Sequence, residues 1–115
     1  MGVAWGDVDG DGLPDLFVTH LTSEHHSLWR QKPRGLFHDQ AAAAGLTSPH
    51  WRGTGFGTVL ADFDHDGALD LALVNGRVTR TGPTTKLFWD AYADRNQVFA
   101  NDGAAPGALK RVRIV

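Results

Sequence analysis

Eight aspartates of this 115-residue chain are arranged in a way that could do chemistry. Asp7-Val8-Asp9-Gly10-Asp11-Gly12-Leu13-Pro14-Asp15 and Asp62-Phe63-Asp64-His65-Asp66-Gly67-Ala68-Leu69-Asp70 share one pattern, D-x-D-x-D-G-x-x-D, 55 residues apart. Alternate residues of a curled loop point inward, so carboxylates two apart converge on one centre. Hard cations take such oxygens: calcium accepts about six to eight of them at roughly 2.3–2.6 Å, from carboxylates and backbone carbonyls. Asp7, Asp9, Asp11 and Asp15 are the side-chain ligands expected in the first loop. Asp62, Asp64, Asp66 and Asp70 are those of the second. The carbonyls of Leu13 and Ala68 would add one oxygen each, and Gly12 and Gly67 permit the sharp turn with φ > 0. The expectation is two Ca²⁺ sites. Asp and Gly are also ordinary turn residues, but four carboxylates in one loop repel one another strongly without a cation.

The elements that carry these loops are strands. An EF-hand would need a bidentate Glu at its twelfth position and a helix on each side. Val18 and Leu73 stand at that position here. The flanks Gly2–Gly6, Leu16–Thr19, Gly57–Ala61 and Leu71–Val74 are short, apolar and partly β-branched, so they read as buried strands. The unit is strand, cation loop, strand, and it occurs twice.

Further strands follow in each unit. Ser27–Gln31 reads as a third, Lys32–Gly35 as a turn and Leu36–Asp39 as a fourth. Ala41–Ala44 can form a single helical turn stopped by Gly45, and Thr47–Arg52 is a linker. The second unit begins near Gly53 and carries a longer insert over 75–95, with an aromatic cluster of Phe88, Trp89 and Tyr92. Asn96–Gly103 corresponds to the third strand and its turn, and Leu109–Val115 to a final strand. Four short antiparallel strands in about 45–55 residues make a β-propeller blade. The chain therefore divides into a first blade at 1–52 and a second at 53–115, an all-β architecture of about two blades.

The same residues resemble the FG-GAP/VCBS repeats, the calcium-binding blades of integrin α-subunit propellers and many bacterial surface proteins. The likeness extends to the cartilage-acidic-protein-like family with its ASPIC/UnbV region. It rests on Gly53-Thr54-Gly55-Phe56-Gly57 leading into Asp62–Asp70, on Val74-Asn75-Gly76-Arg77-Val78, on Tyr92, and on Asn96–Gly103. Gly35–Asp39 followed by Ala44-Gly45-Leu46 also fits. The resemblance implies a calcium-stabilised propeller module for binding or adhesion, extracellular or periplasmic, with a protein or glycan ligand and no catalysis in the repeats. Family propellers have about seven blades, so the chain reads as a fragment of a larger ring. Its exposed ends would pack on further blades of a longer parent chain or self-associate.

Composition narrows the alternatives. Apolar residues make up 42% of the chain and the net charge is −2, with no broad basic face for nucleic acid. Lys110-Arg111-Val112-Arg113 reads as a solvent-facing strand. Cysteine is absent, which excludes disulfides and thiol chemistry. No apolar run is long enough for a membrane span, and no signal peptide is visible at Met1-Gly2-Val3. His20, His25, His26, His38, His50 and His65 read as surface residues, with His65 pointing out of its loop. Trp5 and Trp29 read as core. Trp89 could equally serve a sugar-binding surface, as in a lectin-like or carbohydrate-active propeller. An enzyme would need an acid outside the loops, such as Asp39, Asp90 or Asp94, in a pocket with a raised pKa. No G-x-S-x-G or H-E-x-x-H motif accompanies them. A calcium sensor would need helices and a Met-rich surface that this chain lacks.

Overall fold

The computed structural model describes residues 1–47, 53–78, 92–103 and, for the backbone, 110–114. Strand β1 is Val3–Gly6, β2 Asp15–Val18, β3 Ser27–Gln31 and β4 Phe37–Asp39. They form one antiparallel sheet in the order β1-β2-β3-β4. The second sheet holds β5 Thr54–Ala61, β6 Asp70–Gly76, β7 Gln97–Ala100 and β8 Lys110–Ile114, in the order β5-β6-β7-β8. No helix occurs among the described residues. The molecule is all-β, two four-stranded blades of propeller type.

Each acidic loop joins the first two strands of its sheet. Leu16 pairs with Trp5 and Trp29, and Leu71 pairs with Leu60 and Phe99. The second sheet departs from the expected boundaries in one way. β5 and β6 run longer than their counterparts, so Asn75 and Gly76 belong to β6 rather than to the insert. Phe56 is accommodated by a register shift between Gly55 and Gly57. The final stretch serves as a fourth strand, with β8 pairing on β7. Most of the insert, including Trp89, Phe88 and Asp90, lies outside the described residues, as does most of the linker with Trp51 and His50.

Successive residues of a strand face opposite ways, and this decides which face is core. Phe17 and Leu28 of the first sheet are fully buried and belong to one cluster with Leu71, Leu73 and Phe99 of the second. Ala41 and Ala44 close the same cluster. They sit on the expected helical turn, where Leu46 N donates to Ala41 O at 2.9 Å and Gly45 N to Ala42 O at 3.1 Å. With Gly45 at φ 80°, this is a Schellman ending.

The opposite face of the first sheet is uncovered, and here the structure corrects the reading of the tryptophans. Trp5 is 73% exposed and Trp29 39%. Both project from the face opposite Phe17, and none of the buried core residues among the described ones lies on that face. Their counterparts in the second sheet, Leu60 and Phe99, point inward against the first. Alternation marks these positions as apolar, and it does not say whether that face is inside.

The blades also meet through backbone. The Thr19 hydroxyl accepts from Gly2 N at 2.6 Å and donates to Gly55 O at 2.8 Å. Gly55 N in turn donates to His20 O at 3.2 Å. Gly55 is required here for closeness: a Cβ on it would fall 2.5 Å from Thr19 Cβ.

Candidate metal centre

The two loops fold alike because the aspartates bind their own loop's amides. Asp7 Oδ1 accepts from Gly10 N at 2.8 Å and from Asp11 N at 3.1 Å, while Oδ2 accepts from Gly12 N at 2.8 Å. Asp62 repeats this with Asp66 N at 3.0 Å and Gly67 N at 2.9 Å. Such bonds to the ionised form lower a carboxyl pKa. The Gly67 amide, followed by those of Asp66 and His65, holds Asp62 below the ordinary value despite some desolvation. Gly12 and Gly67 have φ of 85° and 91°, as the turn demands. Position four is left-handed as well, with Gly10 at φ 75° in one loop and His65 at 61° in the other.

The last acid of each loop does more. Asp15 and Asp70 are 1% and 2% exposed. Asp15 Oδ2 accepts from Val8 N and its Oδ1 from Gln31 N, each at 2.9 Å. Asp70 Oδ2 accepts from Phe63 N and its Oδ1 from Asn101 N, each at 2.8 Å. One carboxylate thus ties the loop to the end of the third strand in each blade. Burial pushes the Asp15 carboxyl up, against the pull of the Gln31 and Val8 amides.

Three carboxylates converge in each loop. Oxygens of Asp7, Asp9 and Asp15 lie within 4.8 Å of one another, as do those of Asp62, Asp64 and Asp70. Two oxygens bound to one calcium at its usual distances can be at most about 5.2 Å apart, so this donor set fits a hard cation. Asp11 and Asp66 fall outside the two groups. Their Oδ1 atoms accept from Leu13 N and Ala68 N, each at 2.9 Å, which fixes the residues whose carbonyls were expected as ligands. Leu13 is half-buried. Ala68 lines a cavity of about 250 Å³ between the loops, with Asp7, Asp9, Asp66 and Asn101 around it.

Two contributors escaped sequence reasoning. Arg30, on β3, donates from Nη2 to Asp9 Oδ2. Desolvation raises the Asp9 pKa, but the Arg30 contact and the Asp11 amide together hold it below the ordinary value. Among the described residues Asp64 has no such partner, and desolvation and the charge on Asp66 push it up. Asn101 is the other. Its side chain donates to Val8 O at 2.8 Å and to Leu69 O at 3.2 Å, so it holds both loops at once. The sequence Asn101-Asp102-Gly103 signalled a turn, and nothing local pointed across to Val8.

The family model described as "FG-GAP-like repeat" matches residues 7–73, more than half of the chain. The chain belongs to the FG-GAP-like repeat family. Cartilage acidic protein 1 of Mus musculus and that of Homo sapiens are each 34% identical to it over 74 residues. Those matches cover 64% of this chain and 11% of each relative, so the chain spans a small part of their length.

Among the described residues, no histidine joins either carboxylate group of the FG-GAP loops. His65 is exposed, as expected, but His26 is not a plain surface residue. Its ring packs edge-on against Phe17 at 5.9 Å between centroids, and its Nδ1 accepts from His20 N at 3.0 Å. No helix of the described FG-GAP chain is long and apolar enough to cross a membrane.

Proposed function

We propose that this chain is a calcium-binding, calcium-stabilised FG-GAP module of a β-propeller that serves extracellular binding or adhesion and has no catalytic role. The observation that carries the reading is the paired geometry of Asp7, Asp9 and Asp15 with Asp62, Asp64 and Asp70, three carboxylate oxygens within 4.8 Å in each loop. Asp11, Asp66 and the Leu13 and Ala68 carbonyls would complete each shell on loading. Calcium supplies charge neutralisation at two loops whose acids otherwise repel one another. An ion bound to the folded state alone at 100 times its dissociation constant adds about 2.7 kcal/mol, a large share of the roughly 5–15 kcal/mol of a domain.

Two of the acids outside the loops, Asp39 and Asp94, have structural partners. Asp39 Oδ1 accepts from Leu28 N at 3.3 Å and Ala41 N at 3.0 Å. Asp94 accepts from Arg95 N at 2.9 Å and faces Arg77 at 3.8 Å. Both hold backbone or a neighbouring charge. The uncovered faces support a partner: further blades of a longer chain or a second copy, with a protein or glycan as the eventual ligand.

Calorimetry is the test. Two calcium ions should bind the wild-type chain, Asp9→Ala with Asp64→Ala should abolish both events, and melting should rise with calcium and fall with chelator. No uptake at millimolar calcium would sink the reading.

A further inference from the structure

We propose that Arg30 is a built-in cation of the first loop, so that the loop Asp7–Asp15 takes calcium more weakly than the loop Asp62–Asp70. The inference rests on the calcium reading above and assigns an order to its two sites. Its origin is an asymmetry between otherwise matching loops. Asp9 carries the Arg30 guanidinium, with the Asp9 side chain only 6% and that of Arg30 22% exposed. An ion pair this covered is screened little by salt.

Among the described residues, the second loop has no equivalent. Register defines the matching position: Leu16 pairs with Trp29 and Leu71 with Phe99. The next residue is Arg30 in the first blade and Ala100 in the second. Among the described residues, no salt bridge reaches Asp62, Asp64, Asp66 or Asp70. The first loop therefore offers a divalent ion one net negative charge fewer.

A calcium ion entering the first loop must share Asp9 with the guanidinium or displace it. Sharing sets like charges side by side. Displacement sends Arg30 toward the cavity of about 310 Å³ that it lines with Lys32, His38 and Gln40, where Lys32 is again a like charge. Each route costs affinity at the first loop alone. The same pairing keeps that loop partly neutralised without metal, which leaves the second loop as the one that responds most to chelator.

The experiment is a calcium titration of the full chain by calorimetry at fixed ionic strength. Wild type should show two steps about tenfold or more apart, with about 1.4 kcal/mol per tenfold. Asp64→Asn should remove the tighter step. Arg30→Gln should tighten the weaker step about tenfold, while Arg30→Lys leaves it weak. Ala100→Arg transplants the cation and should weaken the tighter step. Equal steps in wild type, or a weaker step unmoved in folded Arg30→Gln, overturn the inference and leave two calcium sites standing. Should Arg30→Gln not fold, Ala100→Arg decides, and an unaltered tight step overturns it. A wild-type chain that binds no calcium overturns this inference together with the reading beneath it.

Discussion

Asn101 and Val8 stand 93 residues apart and share a buried 2.8 Å hydrogen bond, from the amide Nδ2 to the Val8 carbonyl. Asn101 also bonds within its own blade, donating its backbone N–H to Asp70 and its side-chain amide to Leu69 O, and accepting from Gly103 N. Val8 in turn donates its N–H to Asp15. A short chain of bonds therefore runs from the last acid of one loop to the last acid of the other. The two loops are held in a fixed mutual position by one side chain.

Asn101→Ala should consequently loosen both loops together. It leaves the buried Val8 carbonyl and the half-buried Leu69 carbonyl without this donor, at about 1–3 kcal/mol for an unsatisfied buried group. Denaturant unfolding in chelator measures that loss. Calcium titration should show both steps weakened, whereas a purely local role would weaken only the second.

Asp15 and Asp64 are expected to separate structure from metal binding. Each Asp15 oxygen accepts a backbone N–H, so Asp15→Asn turns an amide group toward a donor. Burial already favours neutral Asp15, and the loss thus comes from the mismatched hydrogen bond, about 1–3 kcal/mol. It should persist in chelator. Asp64→Asn sits on an exposed residue and should change chelator stability by less than about 0.5 kcal/mol while removing calcium from its loop.

His26 should make stability depend on pH. Burial first, then the charges on His20 and His25, hold its pKa below the ordinary histidine value. The unfolded chain takes up a proton from about pH 6.5 downward, before the folded chain does. Stability is then complete above that pH and falls as the pH drops below it. A protonated ring also cannot accept from His20 N. Melting in chelator between about pH 7.5 and 5.5 checks this, and His26→Asn, which keeps an acceptor without the titration, should flatten the curve.

Two glycines at the join should differ. A Cβ on Gly55 would meet Thr19 Cβ at 2.5 Å, close to its branch point and to a bonded hydroxyl. A Cβ on Gly6 would meet only the end of the Leu69 side chain, at 2.6 Å. Gly55→Ala should cost about 1–3 kcal/mol, as overpacking does, and Gly6→Ala less, since Leu69 can rotate. Paired unfolding curves decide it.

What the sequence made legible was whatever is settled within a few residues. The Asp-x-Asp-x-Asp-Gly spacing fixes the loop turns, Gly45 stops the turn at Ala41–Ala44, and the strands around each loop follow from short β-branched runs. The pairing of Arg30 with Asp9 depends on β3 register, and that of Asn101 with Val8 on how one blade meets the next. Neither leaves a local trace. Trp5 and Trp29 were misplaced for a related reason: alternation says that one face of a strand is apolar, but only the packing partner says whether it is inside. Asp11 and Asp66 share the spacing of their neighbours yet turn back to Leu13 N and Ala68 N, a choice made by loop curvature.

The uncovered face bearing Trp5 and Trp29 corresponds, residue for residue, to the Leu60 and Phe99 face that the second sheet presses against the first. The other outer face, with Val59 47% and Val74 55% exposed, corresponds to the inner face of the first sheet. The molecule is thus directional, with a leading and a trailing surface of different make. A second copy that repeated the internal join would meet it trailing surface to leading surface. That contact is heterologous and leaves one surface open at each end, so it either closes into a ring or continues. A two-fold dimer would need some other surface, because neither apolar face is the match of itself.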